Sequence, residues 1–429
     1  MSKANKKAAK KTAKKTPAKK TAKKKPGNLE AGSPPVGGYS RQFGEAAPDP
    51  ASNNPWIPAD DNQYYKSSYY IQNAKTVQKF KVTNSPAYMD LNTVLSADAI
   101  QKIKSNNQIV FHSVGDTGGS TKSKFQQEEN VSDMMGRDFS AAIPPSFFYH
   151  LGDVVYDFGE ESLYYSQFYD PFRDYNAPIF AIPGNHDGMV YNSSMKSLGP
   201  FEENFCAAQP GPAPNAGGLI RSTMNQPGVY WTLDAPFVSI IGLYSNVIDN
   251  GPGVISSQGG KYPIPDTQLD FLASELDRLN DKRKTDPRAI LLAVHHPPYS
   301  GDAKHGGSPR MSQQLDDAFT KAGLWPNAVL SGHSHNYQRF QRIHNGINIP
   351  YIVAGSGGFN AKPIEAPPAH LAFPIPGNPE LTLEGYFVDY GYLTITVNAK
   401  SRKLTIVFNT TNATLGAKGL GADTVVVPW

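Results

Sequence analysis

Five short apolar runs restrict the fold more than any other feature of this chain: Ile109–Val114, Ser146–Leu151, Pro178–Ile182, Ile290–Val294 and Ala328–Leu330. Each reads as a buried strand. At or just beyond the end of each stands a motif of chemically active side chains. In chain order these are GDTG (Gly115–Gly118), GDVVY (Gly152–Tyr156), GNHD (Gly184–Asp187), VHHPPY (Val294–Tyr299) and GHSHNYQR (Gly332–Arg339). Loops that follow strand ends are where an α/β scaffold positions a reacting centre. Gly directly before Asp116, Asp153 and Asn185 lets the backbone turn sharply beside a ligand. Around these runs the spacing predicts helices over Ser96–Ser105, with Ser96 as N-cap, Thr267–Leu279 and Ser312–Ala322. It also predicts a hairpin over 229–243 turning at Asp234–Pro236, and closing strands at Tyr351–Ala354, Tyr392–Val397 and Leu404–Phe408. The pattern is mixed α/β and not a plain βαβ repeat.

Charge is divided unevenly along the 429 residues. Residues 1–26 hold twelve lysines and no acid; without them, 29 basic residues face 37 acidic ones, a net of −8. An acidic body therefore carries a cationic tail. The tail has no apolar face to bury and repels itself, so disorder is expected. It reads either as an electrostatic tether to a polyanion (nucleic acid, polyphosphate or an anionic surface) or as a solvated segment without a specific partner. Residues 27–60 continue as linker, and Tyr64, Tyr65, Tyr69 and Tyr70 form an aromatic cluster expected to pack on the main body. The division expected is 1–40 tail and linker, 41–105 an N-terminal extension packed on the core, 106–410 the catalytic domain and 411–429 a C-terminal extension. Cys206 is the one cysteine, which excludes an intramolecular disulfide and a cysteine-based zinc or iron–sulfur site. No apolar run approaches the roughly 18 residues of a membrane span. The basic N-terminus has no apolar stretch of a secretory signal behind it, so a cytoplasmic location is the default expectation.

Oxygen donors, imidazoles and one phenol suit iron, manganese or zinc, and a carboxylate able to bridge suits a pair of ions. Five of the ten histidines fall in the motifs: His186, His295, His296, His333 and His335. The motif order Asp, Asp, Asn-His, His, His-x-His resembles that of the calcineurin-like metallophosphoesterases over about residues 108–400. Most of that superfamily place a His two residues after the first Asp, where this chain has Gly118. The missing donor is matched by Tyr156 in Gly-Asp-x-x-Tyr, which resembles the purple acid phosphatase arrangement.

The resemblance implies an α/β (α+β) fold, a four-layer αββα sandwich of two mixed β-sheets flanked by helices. It implies two metal ions, Fe(III) plus a divalent Fe, Zn or Mn. Asp116, Tyr156 and His335 would hold the first ion, Asn185, His295 and His333 the second, and Asp153 would bridge them. The pattern His-x-Pro-x-Tyr selects His295 over its neighbour, leaving His296 to contact phosphate or to serve structure. A phenol with a pKa of about 10 becomes a ligand at neutral pH only beside a strongly Lewis-acidic ion; otherwise Tyr156 is a packing aromatic. The activity implied is phosphomonoester hydrolysis by a metal-held hydroxide, with His186 protonating the leaving group and Asp187 orienting its imidazole. His305 and Arg339 are further candidates for substrate contact, Arg339 equally for a structural ion pair. His112, His150, His344 and His370 read as ordinary residues. The alternatives are a phosphodiesterase on the same core, with specificity in loops 188–228 and 246–266, and a nucleic-acid-associated protein with an inactive phosphatase domain.

Overall fold

A computed structural model describes residues 86–119, 121–189, 195–245, 253–257, 259, 264, 266–302, 305–362, 374–375, 378–412 and 422–429. The lysine-rich tail, the linker, the tyrosine cluster at 64–70, His370 and most of the 246–266 loop lie outside these residues. Along the chain the first strands are β1 (Tyr88–Asp90), β2 (Gln108–Val114), β3 (Phe148–His150), β4 (Ile179–Ala181), β5 (Trp231–Ala235), β6 (Val238–Leu243) and β7 (Ala289–Val294). They continue as β8 (Ala328–Ser331), β9 (Tyr337–His344), β10 (Ile347–Ala354), β11 (Pro374–Ile375), β12 (Asn378–Phe387), β13 (Gly391–Asn398), β14 (Lys403–Thr410) and β15 (Asp423–Pro428). The α-helices are α1 (Ala97–Ser105), α2 (Lys122–Arg137), α3 (Asn185–Gly188), α4 (Gly199–Phe205), α5 (Thr267–Thr285) and α6 (Pro309–Ala322). Ser96 caps α1 by accepting from the Ala99 amide.

Two mixed sheets result, one in the order β1-β5-β6-β7-β8-β10-β9-β12-β11 and the other β15-β14-β13-β2-β3-β4. Within them β6, β7, β8 and β10 run parallel, as do β2, β3 and β4. Phe111, Leu393 and Ile406 of the smaller sheet pack against Leu233, Ile240, Leu291 and Leu330 of the larger one. Each such buried side chain contributes about 1.5–3 kcal/mol of transfer free energy. Val131 and Met135 of α2 and Phe201 and Phe205 of α4 cover the outer face of the smaller sheet. Leu272, Leu276 and Leu279 of α5, with Met311, Leu315 and Phe319 of α6, cover that of the larger. The layering is helix, sheet, sheet, helix.

Two expectations differ from the structure. The hairpin turns one step later than Asp234–Pro236, at Pro236–Phe237, where Phe237 adopts φ 69°. Arg339 lies on β9 and not in a loop; its guanidinium binds Asp423 of β15 through contacts of 2.7 and 3.1 Å, which satisfies the structural alternative. β15 pairs antiparallel with β14 and adds an edge strand to the smaller sheet. Among the described residues no helix is long and apolar enough to cross a membrane.

Candidate metal centre

The parallel strands deliver their C-terminal ends to one place, and backbone hydrogen bonds tie the strand-end loops together there, the first of the following across the two sheets and the others within one sheet. Gly115 N donates to Ala354 O at 2.9 Å, Asp116 N to Gly152 O at 3.0 Å and Gly332 N to His295 O at 2.9 Å. The loop after β2 therefore carries Asp116, the loop after β3 Asp153 and Tyr156, and α3 Asn185 and His186. From the larger sheet, β7 delivers His295 and His296, and β8 delivers His333 and His335. Asp116, Asp153 and His333 hold φ values of 59°, 55° and 67°. Non-glycine residues in this region are strained by roughly 1–3 kcal/mol each, and such strain gathers at functional sites.

Each buried aspartate splits its two oxygens between backbone and centre. Asp116 Oδ2 accepts from His333 N at 2.8 Å, while Oδ1 lies 3.1 Å from Tyr156 Oη and 3.4 Å from His335 Nε2. Asp153 Oδ1 accepts from His186 N at 2.9 Å, while Oδ2 lies 3.1 Å from Tyr156 Oη and 3.2 Å from His295 Nε2. Asn185 Oδ1 is 3.1 Å from His295 Nε2 and 2.9 Å from His333 Nδ1. Donors that share an ion at about 2.1 Å sit roughly 3–3.4 Å from one another. Two such groups are present, one around Tyr156 and one around Asn185, with Asp153 Oδ2 common to both.

The atoms facing one another cannot satisfy themselves with their own protons. Tyr156 has one hydroxyl hydrogen for two carboxylate oxygens and an imidazole nitrogen at 3.3 Å. His295 Nδ1 must carry a proton, because it faces the Leu151 carbonyl at 2.8 Å. In the neutral ring this aims a lone pair at the oxygens of Asn185 and Asp153. Burial opposes a second proton on His295, but the Asp153 charge outweighs it and lifts the ring to about 9. Burial, then Asp116 and Asp153, pushes the Tyr156 phenol well above its ordinary value. Burial, joined by neighbouring imidazoles at His333 and by Lys362 at His335, holds both those rings neutral. A cation in each group would answer all of these contacts at once. The donor set therefore fits two ions.

The exchange between positions 118 and 156 has a steric counterpart. A Cβ on Gly118 would lie 2.6 Å from Gln167 Oε1, 2.9 Å from the Val154 carbonyl oxygen and 3.1 Å from Tyr156 Cδ2, so Tyr156 and the groups that hold it leave no room for a side chain there. Gln167 fixes the exchange from behind: its amide accepts from Tyr156 N and donates to Tyr156 O, both at 2.7 Å. Gly184 is equally obligatory, since a Cβ would fall 2.0 Å from Asp153 Oδ1.

Asp187 requires a correction. It does not orient His186. Its carboxylate accepts from Gly184 N at 2.8 Å, Val154 N at 3.0 Å and Val155 N at 3.3 Å, and so ties GNHD to GDVVY. The Asp157 carbonyl orients His186 instead, accepting from Nδ1 at 2.8 Å and leaving Nε2 4.0 Å from Asp153 Oδ2. His296 is held by Ser245, whose Oγ accepts from the His296 amide at 3.0 Å and lies 2.9 Å from Nδ1. Its ring is 4.2 Å from that of His333. His305 also reaches the centre, its ring 4.7 Å from His333 and 5.3 Å from His335. His150 stands behind the site, accepting from Gly152 N at 3.1 Å and contacting Thr117 Oγ1 at 3.0 Å. His112 is engaged by Asp138 and Tyr175, and His344 by Trp325 and Glu380. Sequence reading missed Ser245, Lys124 and Phe359. Only Phe359 carried a usable signal, because Gly355–Asn360 (GSGGFN) follows an apolar strand as the five motifs do.

Fold and donor set together define a centre for paired cations at the ends of parallel strands. A model of the calcineurin-like phosphoesterases matches residues 102–337, more than half of the chain, and the protein belongs to that family. The family implies a dimetal centre. Purple acid phosphatase 22 of Arabidopsis thaliana is 30% identical over 131 residues, covering 28% of this chain and 29% of that protein. The chain thus spans less than a third of the length of this curated relative. Among solved structures, GAP50, the anchor in the inner membrane complex of Plasmodium, aligns at 16% identity with a TM-score of 0.49, over 75% of this chain and 89% of its own. A dimetal phosphatase from Danio rerio aligns at 11% identity with a TM-score of 0.41, over 75% and 99%.

Proposed function

We propose that the protein hydrolyses phosphomonoesters as a purple acid phosphatase-type enzyme, with Fe(III) at Asp116, Tyr156 and His335. A divalent Fe, Zn or Mn would be held by Asn185, His295 and His333, with Asp153 shared. The observation that carries this reading is the phenol of Tyr156 between two carboxylates and an imidazole. When bound, such a pair supplies Lewis acidity toward phosphate oxygens and an activated water at neutral pH. The chain's own residues do the rest. The Asp157 carbonyl fixes the Nδ1 proton of His186, so Nε2 is the atom from which a proton can pass to a departing alkoxide. His296, with Nδ1 turned to Ser245, and His305 are placed to bind phosphate oxygens beside His333. Seven filled donor positions disfavour the inactive alternative. The lysines of residues 1–26 suit a polyanion tether.

His186→Ala is expected to slow hydrolysis of alkyl phosphates by about 100-fold while slowing nitrophenyl phosphate much less, because a good leaving group needs no proton. Equal slowing of both substrates removes His186 from the acid role. Running a bis-ester in parallel separates the phosphodiesterase alternative, which predicts a preference for the diester.

A further inference from the structure

The Tyr156 ring does not stand alone. Phe359 covers one of its faces, with centroids 3.5 Å apart and planes within 7° of parallel. Lys124 of α2 places its Nζ 3.3 Å from the Phe359 centroid, necessarily on the face turned away from Tyr156. The His186 ring meets Tyr156 at 4.2 Å but stays 6.2 Å from Phe359, so it approaches from a different side. The backbone pins the stack: Phe359 N donates to Asp116 O, and Gly357 N to Gly115 O, both at 3.1 Å. Gly358 lies against Glu128 of α2, where a Cβ would come within 2.6 Å of Glu128 Cα.

A parallel sandwich at this spacing opposes two electron-rich faces, and aromatic pairs ordinarily avoid it for offset or edge-on arrangements. It becomes favourable when positive charge draws density from the outer faces. Lys124 does so for Phe359. A cation at the Tyr156 oxygen would do the same for the other ring.

We propose that Lys124 and Phe359 are positioning residues for Tyr156 as an iron ligand. Phe359 fixes the plane of the phenol so that its oxygen stays on the Asp116, Asp153 and His335 group. Lys124 holds Phe359 and, through the stack, lowers the energy of the phenolate electrons that would be shared with the ion. This rests on the reading of Tyr156 as a ligand.

The test is the visible phenolate-to-iron absorption of Fe(III)-loaded protein, with iron affinity measured alongside. Phe359→Leu keeps apolar volume but loses the ring face. It should reduce band intensity per bound iron and weaken iron binding by about 10- to 100-fold, as removal of ligand-orienting partners does, and Phe359→Tyr should restore both. Lys124→Met should move the band to longer wavelength, since the phenolate loses a stabilising charge, whereas Lys124→Arg should leave it in place. Lys124 is only half-buried, so its variants carry the test if Phe359→Leu does not fold. If the parent shows the band while Phe359→Leu and Lys124→Met change neither wavelength, intensity nor affinity, this inference falls alone. If iron-loaded parent protein shows no band, the ligand reading of Tyr156 falls with it.

Discussion

Asp153→Asn is expected to lower phosphomonoester turnover by about 1,000-fold or more, the equivalent of the several kcal/mol that a correctly placed ion pair contributes. The substitution is nearly isosteric. The remaining carbonyl can still accept from the His186 amide, as Asp153 Oδ1 does at 2.9 Å. What changes is the oxygen now 3.1 Å from Tyr156 Oη and 3.2 Å from His295 Nε2, which becomes an NH2 group without negative charge. An amide nitrogen is no metal ligand, so the shared position is lost and both ions loosen. Steady-state kinetics and metal content on folded protein check this together. A variant within tenfold of the parent in turnover, still holding two ions, would exclude Asp153 from the shared position.

Asp187→Ala is expected to act on the scaffold with comparable severity. It strips the acceptor from three buried amides, those of Gly184, Val154 and Val155. An orphaned buried donor costs about 1–3 kcal/mol, so three of them cost roughly 3–9 kcal/mol, a large part of a total stability of about 5–15 kcal/mol. The melting temperature should fall by roughly 5–15 °C, and activity should fall with it as Asp153 and Asn185 drift apart. Asp187→Asn separates this role from that of an imidazole orienter. It retains one acceptor and should be partly stable, with the same dependence on leaving group as the parent. A selective loss on poor leaving groups, matching His186→Ala, would return Asp187 to His186.

The five motifs are legible because their requirements are local: a run apolar enough to bury, then, in four of them, a glycine that lets the chain turn, and in VHHPPY a pair of histidines directly after the run. The Tyr156 exchange is legible for the same reason, as Gly118 and Tyr156 each stand in a short recognisable segment. Asp187 shows where local reading stops. It neighbours His186 in sequence, yet on the short helix α3 its carboxylate points back to the strand-end amides. Helix α2 escapes sequence reading because its buried side includes Glu128 and Ser132 beside Val131 and Met135, which blurs the apolar period. Strand β9 escapes because Arg339 and Arg342 look like loop residues until Asp423, Asp316 and Glu380 neutralise them from distant parts of the chain. The left-handed backbone at Asp116, Asp153 and His333 has no sequence signature, since none of the three is glycine. The stack of Lys124, Phe359 and Tyr156 joins three segments that only the closed fold brings together.

Seven side chains around two ions are the claim on which function depends, and elemental analysis of the purified protein after saturation with iron and zinc or manganese tests it most directly. Two ions are expected to stay with each chain through gel filtration, one of them iron, and a chelator should remove them together with the activity. Folded protein that retains less than one ion per chain, or that keeps its full phosphoesterase activity after exhaustive chelation, would contradict the claim.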